Sequence, residues 1–358
     1  MKLTGIRVVD LTLFLPGPYL TLQLADHGAE VIKVEPPGEG DPTRHLGLAD
    51  GESTVYFRLL NRGKRSVVLD LKTEPGKQAL LEFVDTADVF VESFRPGVMQ
   101  RLGFGEATLR ERNPRLVYCS MSAFGASGPY RDRPAHDLAV EALSGVLSMN
   151  NSVPPLPVSD LLASMHGLAG ILMALLRREK TGRGDYIDIG MHDVTVAGLS
   201  NILGPVLAEN RQPVPSHERT TGGSAFYRIY ETADGRHLVL GGQEMKFVRN
   251  LLGALGRLDL APLCEKPGPH QQPVMDLLSA TFRAKTLAAC EAMLSKLDVC
   301  YGRVNTLPEA LRDPNALARG MVIEDASGRR HLAPPVRFKD EPAEPNLLEP
   351  KLNSGSGR

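Results

Sequence analysis

Over the first 200 residues, short buried-looking apolar runs alternate with amphipathic stretches of helical period. Ile6-Arg-Val-Val-Asp-Leu11 reads as a buried strand, Pro18 to His27 as a helix stopped by Gly28, and Glu30-Val-Ile-Lys-Val-Glu35 as the next strand, which together make a βαβ unit. The alternation continues with a strand at Ser66-Val-Val-Leu-Asp-Leu71, a helix from Gly76 to Thr86, and strands at Val89-Phe-Val-Glu92 and Leu116-Val-Tyr-Cys-Ser-Met121. The spacing predicts a largely parallel sheet of Rossmann-like topology. A helix from Leu138 to Leu147, a long apolar helix from Asp160 to about Glu179, a strand at Asp185-Tyr-Ile-Asp-Ile189 and a helix from about Val194 to Ala208 complete a large domain over residues 1–208. Residues 209–224, rich in Pro, Gly, Ser and Thr, read as a linker. Beyond it, Ala225-Phe-Tyr-Arg-Ile-Tyr230 and His237-Leu-Val-Leu240 signal a hairpin, and helical periods follow at 246–256, 273–283 and 287–297. That texture predicts a smaller α+β domain over 225–329, with the tail from 330 returning to the large domain and running extended from Pro334.

Composition narrows the function classes. At 358 residues the chain exceeds one ordinary hydrophobic core, so two domains, or one with a large insertion, are expected. A formal net charge of -1 and no interleaving of aromatic and basic residues argue against a nucleic-acid binder. Cys119, Cys264, Cys290 and Cys300 are widely spaced without a C-x-x-C pair, which disfavours a zinc cage or a disulfide scaffold and fits a reducing cytoplasm. Met1-Lys-Leu-Thr-Gly-Ile-Arg leads straight into a strand with no secretion signal. The longest apolar run, Leu168 to Leu176, falls short of the roughly 20 residues that cross a bilayer, so no membrane span is expected. The turn Thr12-Leu-Phe-Leu-Pro-Gly-Pro18 lacks G-x-G-x-x-G, so neither a nicotinamide nor a flavin cofactor is expected.

The candidate chemistry lies in two groups. One is basic: Arg44, Asn61-Arg-Gly-Lys-Arg65, Lys72 closing a strand, and Arg95 and Arg101 in Phe94-Arg-Pro-Gly-Val-Met-Gln-Arg-Leu-Gly-Phe104. Any one of these would pass as a solvated surface cation. As a set after successive strand ends they would share the edge where parallel sheets bind ligands, and would suit a ligand with several phosphates. The second group holds titratable side chains: His136-Asp137, just past the turn-forming Gly125-Ala-Ser-Gly-Pro-Tyr130, and Asp160 at the start of the long apolar helix. Pattern alone equally allows Asp137 and Asp160 to be helix caps and His136 to pack in a turn. With Leu161 and Leu162 behind it, Asp160 is also expected to hold its proton near neutrality. Glu244, after Gly241-Gly-Gln, is a weaker candidate that also reads as a surface glutamate, and His166 reads as a core histidine with a satisfied hydrogen bond.

Several segments together resemble the class III coenzyme A transferases of the CaiB/BaiF group, and within it the α-methylacyl-CoA racemases. These are Asp10-Leu-Thr through Pro16-Gly-Pro18, Gly28-Ala-Glu-Val-Ile-Lys-Val-Glu35, Gly40-Asp-Pro-Thr-Arg44, Asn61-Arg-Gly-Lys-Arg-Ser66, Leu69-Asp-Leu-Lys72, Phe94-Arg-Pro-Gly97 and Gly182-Arg-Gly184. The resemblance covers nearly the whole chain. It implies the CaiB/BaiF CoA-transferase III fold, with a Rossmann-like large domain and a smaller α+β domain, and an interlocked homodimer. It implies that coenzyme A, as part of an acyl-CoA substrate, is held by Arg44, by Leu69, Asp70, Leu71 and Lys72, by Ser93, Phe94 and Arg95, by Arg101 and by Ala135. Neither a metal nor a redox cofactor is implied. Transferases of the family carry a nucleophilic Asp matched by Asp160, and the racemases add a His-Asp pair matched by His136-Asp137 and a Glu matched by Glu244. The chain departs from the racemase pattern in having Ala135 where Gly is usual and Val158-Ser159-Asp160 where Gly-Asp is usual.

The resulting expectation is epimerisation of a 2-methylacyl-CoA, with His136 and Asp160 exchanging protons with opposite faces of the α-carbon. Asp137 and Glu244 are expected to orient or tune the imidazole by hydrogen bonding, and N–H groups at the start of the helix after Asp160 to receive the enolate oxygen. Two rivals stand beside it: CoA transfer between carboxylic acids through an acyl anhydride on Asp160, and a CoA-binding protein without turnover.

Overall fold

The apolar runs become the six strands of one parallel sheet in a computed structural model that describes residues 1–355. The strands are β1 (Arg7–Leu11), β2 (Glu30–Glu35), β3 (Arg65–Val68), β4 (Val89–Glu92), β5 (Val117–Ser122) and β6 (Tyr186–Gly190), in the order β3-β2-β1-β4-β5-β6. Val8 on β1 is flanked by Val31 and Val89, and alternate residues feed opposite faces. On one face Val8, Val91 and Cys119 pack with Leu20, Leu24, Ile171 and Leu175, and on the other Val9, Phe90 and Tyr118 pack with Leu80, Val84, Phe104 and Leu109. Helices on both faces explain why these strands read as continuous apolar runs instead of alternating ones.

The helices are α1 (Pro16–Asp26), α2 (Val55–Asn61), α3 (Glu74–Asp85), α4 (Val98–Leu102), α5 (Glu106–Arg112), α6 (Asp137–Ser144), α7 (Val158–Thr181) and α8 (Met191–Gly198). α7 packs closely on α1: a Cβ at Gly167 would come within 2.6 Å of Leu20 Cδ1, so any larger residue there would push the Leu20 side chain aside. The sequence reading found no segment long enough to span a membrane, and here the structure corrects it. By length and composition α7 would suffice, with a mean hydropathy of 1.5 over 18 residues. In this fold one side of it packs on α1 and α8, while Met165, Ala169, Leu172, Met173 and Leu176 form an exposed stripe at helical spacing.

The chain divides into two compact units, one formed by Met1–Val146, Val153–Gly198 and the chain from Pro314 on, the other by Leu147–Ser152 and Leu199–Asp313. The single helix expected from Val194 to Ala208 is instead α8 and α9 (Gly204–Glu209), interrupted after Gly198. The second unit holds the antiparallel strands β7 (Tyr227–Glu231), β8 (His237–Gly241) and β9 (Tyr301–Arg303). Against them lie α10 (Met245–Ala254), α11 (Gln272–Arg283) and α12 (Leu287–Leu294) over a core that includes Phe226, Leu238, Val248 and Phe282. The segment 209–224, read as a linker, falls inside this unit.

In the first unit the tail runs beside the otherwise open edge of β3. Leu348 O accepts the Gly63 N–H, Asn353 Oδ1 accepts the Val68 N–H, and the Gly355 N–H reaches Ser66 O. These bonds occupy backbone groups that an edge strand would otherwise expose.

Candidate active site

In this strand order the crossovers diverge between β1 and β4, and the crevice beyond the carboxyl ends of those strands is where such sheets bind ligands. A cavity of ≈ 370 Å³ opens there. Its walls come from Leu13 and Phe14 after β1, Ser93, Phe94 and Arg95 after β4, Ser122 and Ala123 at the end of β5, and Ala135, His136 and Asp160 from the β5–β6 crossover. Buried Glu92 fixes the turn after β4, its carboxyl accepting the Phe94 N–H at 2.7 Å. Burial pushes the Glu92 pKa up to about 7 against the opposing hydrogen bonds from Ser120 and Phe94.

His136 is exposed and precedes α6, and its imidazole faces the cavity. α7 begins after Pro157, which offers no side-chain cap, so its leading N–H groups are met from α6. Asp137 Oδ1 accepts the Asp160 N–H at 2.9 Å, and Glu141 Oε1 accepts the Val158 N–H at 2.9 Å. These two acids lie four residues apart on α6, a spacing that puts them on one face. Burial, followed by the negative charges of Asp137 and Glu141, pushes the Asp160 pKa up to about 7. The proton is therefore held by desolvation and two carboxylates, beyond the effect of Leu161 and Leu162 invoked from sequence. Tyr56 on α2 lies close enough to feel Asp160, and burial with that charge raises its phenol to about 12.

Three expectations need correction. Asp137 makes no hydrogen bond to the imidazole among the described residues, because its carboxylate faces the start of α7 and acts on Asp160. The N–H groups proposed to receive an enolate oxygen are already taken, those of Val158 and Asp160 by α6 and that of Leu161 by Pro157 O. His166 makes its hydrogen bond, Nδ1 to Leu162 O at 2.8 Å, but on an exposed surface and not in the core.

The basic set also divides. Leu69, Asp70, Leu71 and Lys72 lie past the end of β3, which stops at Val68, and line a second cavity of ≈ 500 Å³. Leu13 and Phe94 line both cavities, so the Lys72 and His136 cavities share a wall. Arg95, Arg101 and Lys72 are exposed and pair with no carboxylate among the described residues. Arg101 stands beside Gly97, where Arg131 also approaches, within 3.1 and 3.7 Å of the position a Cβ would take. Arg62 and Lys64 do not reach a crevice: both are buried, paired with Asp26 at 2.6 Å and Asp10 at 3.2 Å. Arg44 is buried against Glu35 at 2.6 Å, donates to Pro350 O, stacks on Phe57 and faces a different groove. Those three cations hold the fold together. Glu244 lies in the second unit, exposed, at the residue before α10.

The sequence reading missed Phe14, Arg131 and Arg133, all on the first cavity, and Glu141 beneath Asp160. Only Glu141 had a usable signal, its spacing of four from Asp137.

Comparison with known proteins places this geometry. The model of CoA-transferase family III matches residues 3–356. The acetyl-CoA:oxalate CoA-transferase of Acetobacter aceti is 37% identical over 89% of this chain and 85% of its own length. The alpha-methylacyl-CoA racemase of Mus musculus is 36% identical over 97% of this chain and 89% of its own. The crystal structure of a CaiB/BaiF family protein from Brucella suis superposes with a TM-score of 0.84 at 31% identity, covering 98% of this chain and 96% of that one. The parallel sheet, the cavity at its switch point and these matches identify the chain as a member of CoA-transferase family III, the CaiB/BaiF family, whose relatives include both CoA-transferases and racemases.

Proposed function

We propose that this protein epimerises 2-methylacyl-CoA thioesters by 1,1-proton transfer. His136 takes the α-proton from one face, the electron pair moves onto the thioester carbonyl oxygen as an enolate, and protonated Asp160 delivers a proton to the other face. The roles reverse for the opposite enantiomer, and the step as written consumes no metal or redox equivalent. One observation carries the reading: an imidazole and a carboxyl from separate segments line one cavity, and the carboxyl has a pKa of about 7, so its proton is available. Asp137 tunes the acid in this scheme, and Glu244 keeps only the role that the family resemblance implies. Coenzyme A would lie against Leu69–Lys72, Ser93–Arg95, Arg101 and Ala135, with the thioester passing the shared wall of Leu13 and Phe94. Incubation in deuterated water tests this: the α-carbon should take up deuterium, and a His136→Ala protein exchanging both enantiomers at the wild-type rate would refute it.

A second reading, CoA transfer between carboxylic acids, draws support from the 37% identity to an oxalate CoA-transferase. In it ionised Asp160 attacks the donor thioester and forms an acyl anhydride with loss of the CoA thiolate. Hydroxylamine trapping of that acyl group, with turnover lost when the acceptor acid is omitted, distinguishes it. His136 shares the cavity with Asp160, and the anhydride route makes no use of it, which sets our order.

We also propose a homodimer, as the family resemblance implies. The exposed apolar stripe of α7, together with exposed Leu138 and Leu143 on α6, is a surface that a second copy would cover.

A further inference from the structure

We infer that Phe14 is a positioning residue for His136, its ring holding the imidazole at the angle from which it reaches the α-proton. This rests on the proton-transfer reading above. Phe14 has φ 63°, a left-handed backbone that bulky residues rarely adopt, and among the described residues the other two non-glycine cases are asparagines. Such strain persists only where the surroundings over-determine it. Here they do so on both sides. Before Phe14, the Thr12 N–H donates to Asp10 Oδ1 at 2.9 Å and Thr12 O accepts from buried Lys33 Nζ at 2.8 Å. After it, Pro16 O accepts from Ser164 Oγ at 2.6 Å, which ties the turn to the helix that carries Asp160.

Phe14 is only part-buried, with 39% of its surface exposed, so it is not a core residue. What it touches is His136, in a T-shaped contact with centroids 6.0 Å apart and an interplanar angle of 86°. That geometry matches the preferred arrangement of aromatic pairs. No protein group among the described residues hydrogen-bonds the imidazole, and the neighbouring Asp137 carboxylate is turned to Asp160. The aromatic contact is thus the restraint that sets the plane of the base, and the strained turn spans the gap between base and acid.

The test uses the full-length protein with one enantiomer of 2-methyldecanoyl-CoA in deuterated water. Phe14→Ala should lower kcat for α-proton exchange about tenfold to a hundredfold, the scale set by a misplaced reacting group, with KM changed less than about twofold. Phe14→Tyr, which keeps the ring, should stay within about threefold of wild type. If melting shows that Phe14→Ala does not fold, Phe14→Leu replaces it with the same expected loss. A kcat within about twofold of wild type for the ring-less variant, or a loss carried by KM alone, overturns the inference. A wild type that exchanges nothing overturns the proton-transfer reading and this inference with it.

Discussion

Asp160→Asn should separate catalysis from stability in opposite directions. In the native protein the Asp160 carboxyl is raised from 3.8 to about 7, which corresponds to about 4 kcal/mol of preference for the neutral form at most. Because the folded pKa lies above the unfolded one, the stability that the protonated group provides is complete below about pH 4 and lost as pH rises through about 7. Integrated between pH 5 and pH 8, the loss is about 2–3 kcal/mol, or roughly 6 °C in Tm for a unit of this size. The asparagine is nearly isosteric and uncharged, so the variant escapes this loss. Glu92 and the other groups that do not feel Asp160 are common to both proteins and cancel in the difference; Asp137, Glu141 and Tyr56 are coupled to it, so their carboxyls and phenol titrate more easily in the variant. Melting both proteins by circular dichroism from pH 5 to 8 should show the Tm of the variant gaining on wild type as pH rises, while exchange of the substrate α-proton disappears. Parallel Tm curves would refute the account of why Asp160 keeps its proton, and a variant that still exchanges from both enantiomers would refute its role.

Asp137→Asn keeps the acceptor for the Asp160 N–H but removes its charge, so the limb of the pH–rate profile that needs protonated Asp160 should move down by about one pH unit, whereas an unmoved limb would contradict the pairing. Lys72→Ala and Arg95→Ala should raise KM for the acyl-CoA several-fold and weaken its salt dependence, with little change in kcat; a kcat effect alone would argue against a phosphate contact. Arg44→Met leaves Glu35 buried without its ion pair, so it should cost about 3–5 kcal/mol in denaturant melts and barely touch KM. Leu172→Asp with Leu176→Asp should lower the fraction of dimer recovered on refolding, read by sedimentation, and an unchanged fraction would remove the α7 stripe from the interface.

The large sheet was legible because both of its faces are covered, which leaves each strand as an apolar run: β2 and β4 have the bounds their sequence suggested. The end of β3 was not, because Leu69 and Leu71 continue the apolar pattern although the backbone has already turned to line a cavity. Short β9, three residues within 299–304, carries too little periodicity to read. At the site, the residue types were legible and their partners were not. Asp137 looked like a helper of its neighbour His136, but α6 turns its carboxylate onto the start of α7, a relation between positions 23 residues apart. Arg44, Arg62 and Lys64 looked like ligands because sequence does not distinguish a cation aimed at solvent from one buried against Glu35, Asp26 or Asp10. Phe14 escaped notice since its position depends on a left-handed backbone that no sequence pattern signals in a phenylalanine.

The most direct test gives the protein a single enantiomer of a 2-methylacyl-CoA in deuterated water, with no free carboxylic acid, and follows chirality and α-deuteration together. Loss of optical purity in step with deuterium uptake, abolished in His136→Ala and in Asp160→Asn, is the predicted result. A thioester that keeps its configuration and its proton, yet passes its CoA on as soon as an acceptor acid is added, would contradict stereoinversion at this cavity.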